Sequence, residues 1–300
     1  MSGISITCFA ASYAVALALE ITRLFFRSGV RGAVMLLFAG AGLLAQTLFF
    51  VYRAMHEPNA PLSSEFDWYL IAAWCLMLAY FDLTIHHPKT PFGLFVLPLV
   101  LGLIGMAQFA ADRTPFPRSQ AAQIWGAIHG AFLLLGTVAV FIGFVAGVMA
   151  LAQAYRLKHK ISPVQRFNLP SLEWLEGLNT RAITVSVIMI AIGFLSGIVL
   201  NLLHDRLHVA ELPWNDPIIW TSALLVGWML TAAGFSIFYK PARQGRKVAY
   251  LTVASFVFLV LSIGLRFFLP TQHGTTHAPH APTTSQELNE PTLLSARGGS

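Results

Sequence analysis

Residues 124–150 read IWGAIHGAFLLLGTVAVFIGFVAGVMA, an unbroken apolar run with no Asp, Glu, Lys or Arg and a single histidine, His129. Its length decides the fold. The hydrocarbon core of a bilayer is about 30 Å thick and needs about 20 helical residues to cross it, so a run this long is a membrane span. The absence of period-2 alternation excludes the strand of a membrane barrel. Seven more runs of comparable character flank it, at about 4–25, 32–52, 67–86, 92–111, 182–203, 217–239 and 248–269. The chain of 300 residues is thus predicted to be an all-α, polytopic membrane helix bundle with about eight transmembrane helices. Residues 1–272 form the transmembrane domain, and residues 273–300 form a disordered external tail, since GTTHAPHAPTTSQELNEPTLLSARGGS is polar and rich in Pro, Ser and Thr.

The composition agrees. Hydrophobic residues make up 56% of the chain and charged residues 11%, against about a quarter charged in an ordinary soluble domain. The formal charge of +6 is spread over short loops between apolar runs, which excludes a nucleic-acid-binding face. Thirteen of the 19 Lys and Arg fall in the loops that hold Arg23–Arg31, Lys89, Arg156–Arg181 and Lys240–Lys247, and six fall on the other face. Positive loops stay inside, so the richer face is cytoplasmic and both termini are extracytoplasmic. The N-terminus has no basic segment ahead of its apolar run and reads as a first span rather than a signal peptide. Cys8 and Cys75 both sit in apolar runs without a Cys-x-x-Cys motif, which predicts two buried structural thiols and neither a redox dithiol nor a covalent haem attachment site.

Several local patterns refine this picture. Gly126/Gly130, Gly143/Gly147 and Gly193/Gly197 are each one turn apart, a spacing that lets helix backbones approach closely in lipid. LPSLEWLEGLNTR at 169–181 offers Ser171 as an N-cap, Glu173 in the first turn and Leu172, Leu175 and Leu178 on one face. It is predicted to be a short helix lying in the interface. Glu20 and Arg23 are spaced to pair on one helix face near its inner end.

Chemistry is restricted by what is missing. No phosphate loop, Gly-x-Ser-x-Gly or His-Glu-x-x-His occurs. His86 and His87 lie near an inner end with nothing to complete the deep histidine pairs of a b-type electron carrier. His204 and His208 are one turn apart and lack a third ligand. Two features stand out. His129 lies inside a span, and if its helix begins near Ile124 it is about 7 Å below the outer surface, where an imidazole needs a partner or a ligand. ELPWNDPIIW at 211–220 sets Trp214, Asp216 and Trp220 against the seventh run, either as an interfacial anchor or as the rim of a site.

In order along the chain, His129, two helices, Trp214-Asn215-Asp216-Pro217, two more helices and His273 resemble the cytochrome c assembly family of haem-handling membrane proteins, which includes CcsA-, ResC- and CcmC-like members. FGLFVLPLVLGL at 92–103, the run at 124–150, residues 169–200 and QGRKVAYLTVASFVFLVL at 244–261 are similar to that family's spans, in the same order. The resemblance implies a haem-binding protein that presents or passes haem at the extracytoplasmic face during cytochrome c maturation. It implies non-covalent haem b held by His129 and His273, with Trp214 and Trp220 walling the porphyrin and Asp216 capping or orienting a polar group. Its partners would be apocytochrome c and other maturation membrane proteins in a bacterial plasma (inner) membrane, and it would be an assembly factor rather than a self-contained catalyst. This chain departs from the family in its tryptophan segment, which is reduced to WNDPIIW, and in lacking an inner histidine pair. Those departures match HemX-type relatives, which imply instead a membrane scaffold or regulator linked to haem synthesis without stoichiometric haem.

Overall fold

A computed structural model describes residues 5–23, 29–57, 62–88, 90–115, 120–160, 170–203, 206, 213–238 and 246–268. Eight helices carry them: α1 (Ile6–Arg23), α2 (Gly29–His56), α3 (Glu65–His86), α4 (Gly93–Phe109), α5 (Gln120–Lys158), α6 (Leu172–Leu202), α7 (Pro217–Phe238) and α8 (Arg246–Phe268). No strand occurs among the described residues. Seven of the helices are long and apolar enough to cross a membrane. The eighth, α4, has 17 residues, about 25 Å of helix, and continues through Pro98. The protein is a multi-pass helical membrane bundle.

The first four helices form one packed group, in which α1 meets α2 and α4, and α3 meets α2 and α4. Burial on α1 follows one stripe, Phe9, Tyr13, Ala16 and Glu20, as a 3.6-residue period requires. Polar ties cross this group where lipid offers no alternative partner. The buried Gln46 of α2 accepts a hydrogen bond from Tyr13 Oη (2.7 Å) and donates to the Leu70 carbonyl of α3 (3.0 Å). Trp74 donates to Thr47 Oγ1 at 2.9 Å. In the second group α6 packs on α7 and α8, and Trp228 joins α7 to α8 by stacking on Phe258 (4.5 Å between centroids) and donating to Ser255 Oγ (3.1 Å).

α5 belongs to both groups. Phe141, Val145, Ala146 and Met149 enter the core built from α1–α4, whereas Val140 packs with Ile183, Val187 and Ile190 of α6 and with α7 and α8. Its small residues make the approach possible. A Cβ on Gly143 would stand 3.0 Å from the Ala182 side chain, and one on Gly147 would stand 2.7 Å from Thr252 Oγ1. With 39 residues, α5 is about 58 Å long, almost twice a bilayer core.

Two expectations need correction. Residues 172–181 are not a separate interfacial helix but the opening turns of α6, which runs unbroken to Leu202. Ser171 is its N-cap as expected, its Oγ accepting from Trp174 N at 3.4 Å, and the buried Leu175 and Asn179 continue the packing stripe that Ala182 and Ile183 carry deeper. Glu173, Glu176 and Arg181 interrupt the apolar run without interrupting the helix. Ser171→Ala should lower stability by about 1 kcal/mol, read as a fall of a few degrees in the unfolding midpoint of the purified protein. The second correction concerns the thiols. Cys8 is exposed and Cys75 only partly buried. Cys8 lies off the buried stripe of α1, and a small apolar thiol can face lipid as readily as protein. The tail from residue 273 lies outside the described residues.

Candidate functional site

His129 lies on α5 nine residues after Gln120, about 14 Å along the helix, because α5 begins four residues before the expected Ile124. The ring is half-buried, and its Nδ1 lies 2.7 Å from the carbonyl oxygen of Gly193 on α6. A carbonyl only accepts, so this contact puts a proton on Nδ1. The buried Ser196 donates its hydroxyl to the same carbonyl at 2.7 Å and stands 3.4 Å from Nδ1.

The surrounding small residues are fitted to the ring. A Cβ on Gly197 would lie 2.7 Å from His129 Cε1 and 2.9 Å from Nδ1. One on Gly193 would lie 2.7 Å from Leu133 Cδ2 and 3.1 Å from the Leu133 backbone nitrogen. On the neighbouring side, a Cβ on Gly130 would meet the Trp68 indole at 2.6 Å, which brings the start of α3 against the start of α5. The Gly193/Gly197 pair, read from spacing as helix packing, therefore also makes room for an imidazole. Nothing in the spacing signalled Gly193 and Ser196 as His129 partners, because the acceptor is a main-chain oxygen 64 positions away.

Trp214 and Trp220 flank the start of α7. Asp216 N donates to Pro213 O (2.8 Å), Ile219 N donates to Asp216 O (3.1 Å) and Ile218 N donates to Asp216 Oδ1 (2.9 Å). Asp216 is thus the N-cap of α7, with Pro217 at the first helical position, where the missing N–H is not needed. Its burial to 5% exposure follows from that role. The two indoles are open, Trp214 at 50% and Trp220 at 67% exposure, and Trp125, one turn before His129, is 37% exposed. His129 and Trp214–Trp220 are linked through α6, which holds the imidazole on one side and packs against α7 on another. His273, His204 and His208 lie outside the described residues.

At the opposite end Glu20 and Arg23 pair at 3.5 Å, as their spacing predicts, and Arg23 also donates to the Pro88 carbonyl. His87 packs its ring on Trp174 (4.1 Å between centroids), and His86 lies beside Asp82 of its own helix. A further buried cluster escaped the sequence reading. Asp67 of α3, fully buried, faces Arg53 Nε of α2 at 2.9 Å and accepts from Ser63 N and Oγ, each at 3.2 Å. Ser64, the N-cap of α3, accepts from Asp67 N, and the guanidinium carbons of Arg53 and Arg113 sit 5.0 and 4.9 Å from the centroid of the Phe66 ring. Ser64-x-x-Asp67 is a capping-box spacing, the one signal that could have revealed it.

Among the described residues no three His, Cys, Asp or Glu side chains converge to hold a metal ion. A histidine whose Nδ1–H is tied to a carbonyl is oriented as metal-ligating histidines usually are, so His129 is the described residue that would hold a haem iron. The donor set around His129 fits haem in that respect.

Fold and site define a class, a multi-pass helical membrane protein with an oriented imidazole seated between two spans. The family follows from comparison. The model of a family described as cytochrome C assembly protein matches residues 68–273, more than half of the chain, and the chain belongs to that family. It is similar to the cytochrome c biogenesis protein CcsA of Parasynechococcus marenigrum, with 24% identity over 259 residues that cover 77% of this chain and 81% of the relative. The CcsA of a Synechococcus strain is also 24% identical, covering 77% of this chain and 82% of the relative. No solved structure matches the chain.

Proposed function

We propose that this protein binds haem b non-covalently at the extracytoplasmic face of a bacterial plasma membrane and presents or passes it during cytochrome c maturation. The observation that carries this reading is the 2.7 Å contact from His129 Nδ1 to the Gly193 carbonyl, which orients the ring with a proton on Nδ1. His129 and His273 would hold the iron, and the exposed Trp214 and Trp220 would offer apolar surface to the macrocycle. The cap that Asp216 makes on α7 holds the Trp214 turn in place. The excess of Lys and Arg in the loops opposite this end supports both termini being extracytoplasmic.

When bound, the haem would supply an iron that accepts imidazole nitrogen. The chain's own part is to hold, orient and expose the group. His129 is held before binding, so little ring motion is lost on ligation. The exposed indoles of Trp214 and Trp220 would give apocytochrome c and other maturation membrane proteins a surface to approach. Those partners bring the thiols, since this chain has no Cys-x-x-Cys. Its role is that of an assembly factor.

A haem spectrum of detergent-solubilised protein from haem-replete cells tests the reading, with His129→Ala and His273→Ala alongside. A near-stoichiometric Soret band that weakens or shifts in both variants is the expected result. A wild type that stays haem-free, also after incubation with haem, would sink it and leave the HemX-type scaffold reading in its place.

A further inference from the structure

Ser196 has no place in the reading above, yet it touches the same carbonyl as His129. It is 7% exposed, its hydroxyl donates to Gly193 O at 2.7 Å, and its oxygen lies 3.4 Å from His129 Nδ1. In a continuous α-helix the Gly193 carbonyl also receives the amide of residue 197. One oxygen with two lone pairs therefore serves three donors: a helix amide, a hydroxyl and an imidazole N–H.

This sharing has a chemical consequence. The more strongly an acceptor draws on the Nδ1–H of a ligating histidine, the more electron density reaches Nε2 and the stronger the ligand. A carbonyl already engaged by a hydroxyl draws less. We infer that Ser196 is a positioning residue that acts through the Gly193 carbonyl to keep His129 a weakened axial ligand, suited to a protein that must release its haem. The inference rests on the proposed haem site and goes beyond it by assigning a residue that governs release. A hydroxyl is required rather than a particular shape, because alanine leaves the helix intact and removes the donor to Gly193 O at 2.7 Å, together with the more distant oxygen 3.4 Å from Nδ1. Threonine restores a hydroxyl that bonds the carbonyl one turn back.

The test uses the full-length protein as wild type, Ser196→Ala and Ser196→Thr. In haem-free protein labelled with nitrogen-15 at histidine, and with His129→Ala for assignment, the wild type should show His129 protonated at Nδ1. In Ser196→Ala the same proton should move downfield as its bond to Gly193 strengthens. In haem-loaded protein, Ser196→Ala should favour the ferric over the ferrous form about threefold, a fall of about 30 mV at 59 mV per tenfold for one electron. Transfer of haem to an excess of apomyoglobin should slow, and Ser196→Thr should restore both values.

Protonation at Nε2 in the wild type would overturn the inference. So would a Ser196→Ala protein whose proton shift, potential and release rate all match the wild type while haem is bound normally. In that second case the haem site stands and only the role of Ser196 falls. A wild type that takes up no haem removes the site itself, and the inference with it.

Discussion

Asp67→Ala is expected to destabilise the protein by about 3–5 kcal/mol, the range for removing one partner of a buried ion pair and stranding the other. Arg53 is the stranded group. Its side chain is 13% exposed and its Nε faces Asp67 Oδ1 at 2.9 Å, with Glu57 as its other carboxylate partner at 2.9 Å. The same substitution removes the acceptor for Ser63 N and Oγ at the head of α3. Thermal unfolding of the purified protein measures the effect. Asp67→Asn, which keeps acceptor oxygen for Ser63 but not the charge, should recover part of the loss. Equal midpoints for wild type and Asp67→Ala would show that Glu57 alone satisfies Arg53.

Gly197→Ala should instead weaken haem binding at the proposed site while leaving the fold nearly intact. The added methyl would lie 2.7 Å from His129 Cε1, closer than real side chains approach one another, and the atom in its way is the movable end of a side chain rather than backbone. The imidazole yields first. It rotates off the Gly193 carbonyl and loses both its tautomer and its aim. Haem affinity is expected to fall about tenfold or more, equivalent to about 1.4 kcal/mol or more, with an unfolding midpoint within a few degrees of wild type. Gly193→Ala provides the contrast, since its methyl would meet the Leu133 main chain at 3.1 Å and push α5 and α6 apart. Retained haem in Gly197→Ala would show that the seat of His129 is not needed for ligation.

These two sites differ in how far a linear reading reaches them. The spans were legible because lipid demands about 20 apolar residues in each, and their number and order follow from that requirement. The start of α6 was not, since Glu173, Glu176 and Arg181 lower apolarity in turns whose helical state depends on the Ser171 cap and on burial of Leu175 and Asn179. His129 was legible as an imidazole inside a span. Its orientation depends on Gly193, whose contribution is a carbonyl that every residue has, so no side-chain pattern announces it. Asp216-Pro217 carried the marks of a helix start, an N-cap before a proline at the first helical position, although the tryptophans beside it drew attention to a rim. Asp67 lay at the edge of an apolar run, where its burial depends on Arg53 of the preceding helix.

The double membership of α5 also bears on how the chain is made. The contacts among α1, α2, α3 and α4 involve only residues up to Phe109, so that half can close while later spans are still being synthesised. His129 enters the bilayer with α5 but meets its carbonyl only when residue 193 follows, 64 positions later. A nascent chain stopped between them has the histidine without the means to aim it. The orientation of this imidazole is therefore a property that the chain acquires only once its sixth helix has arrived.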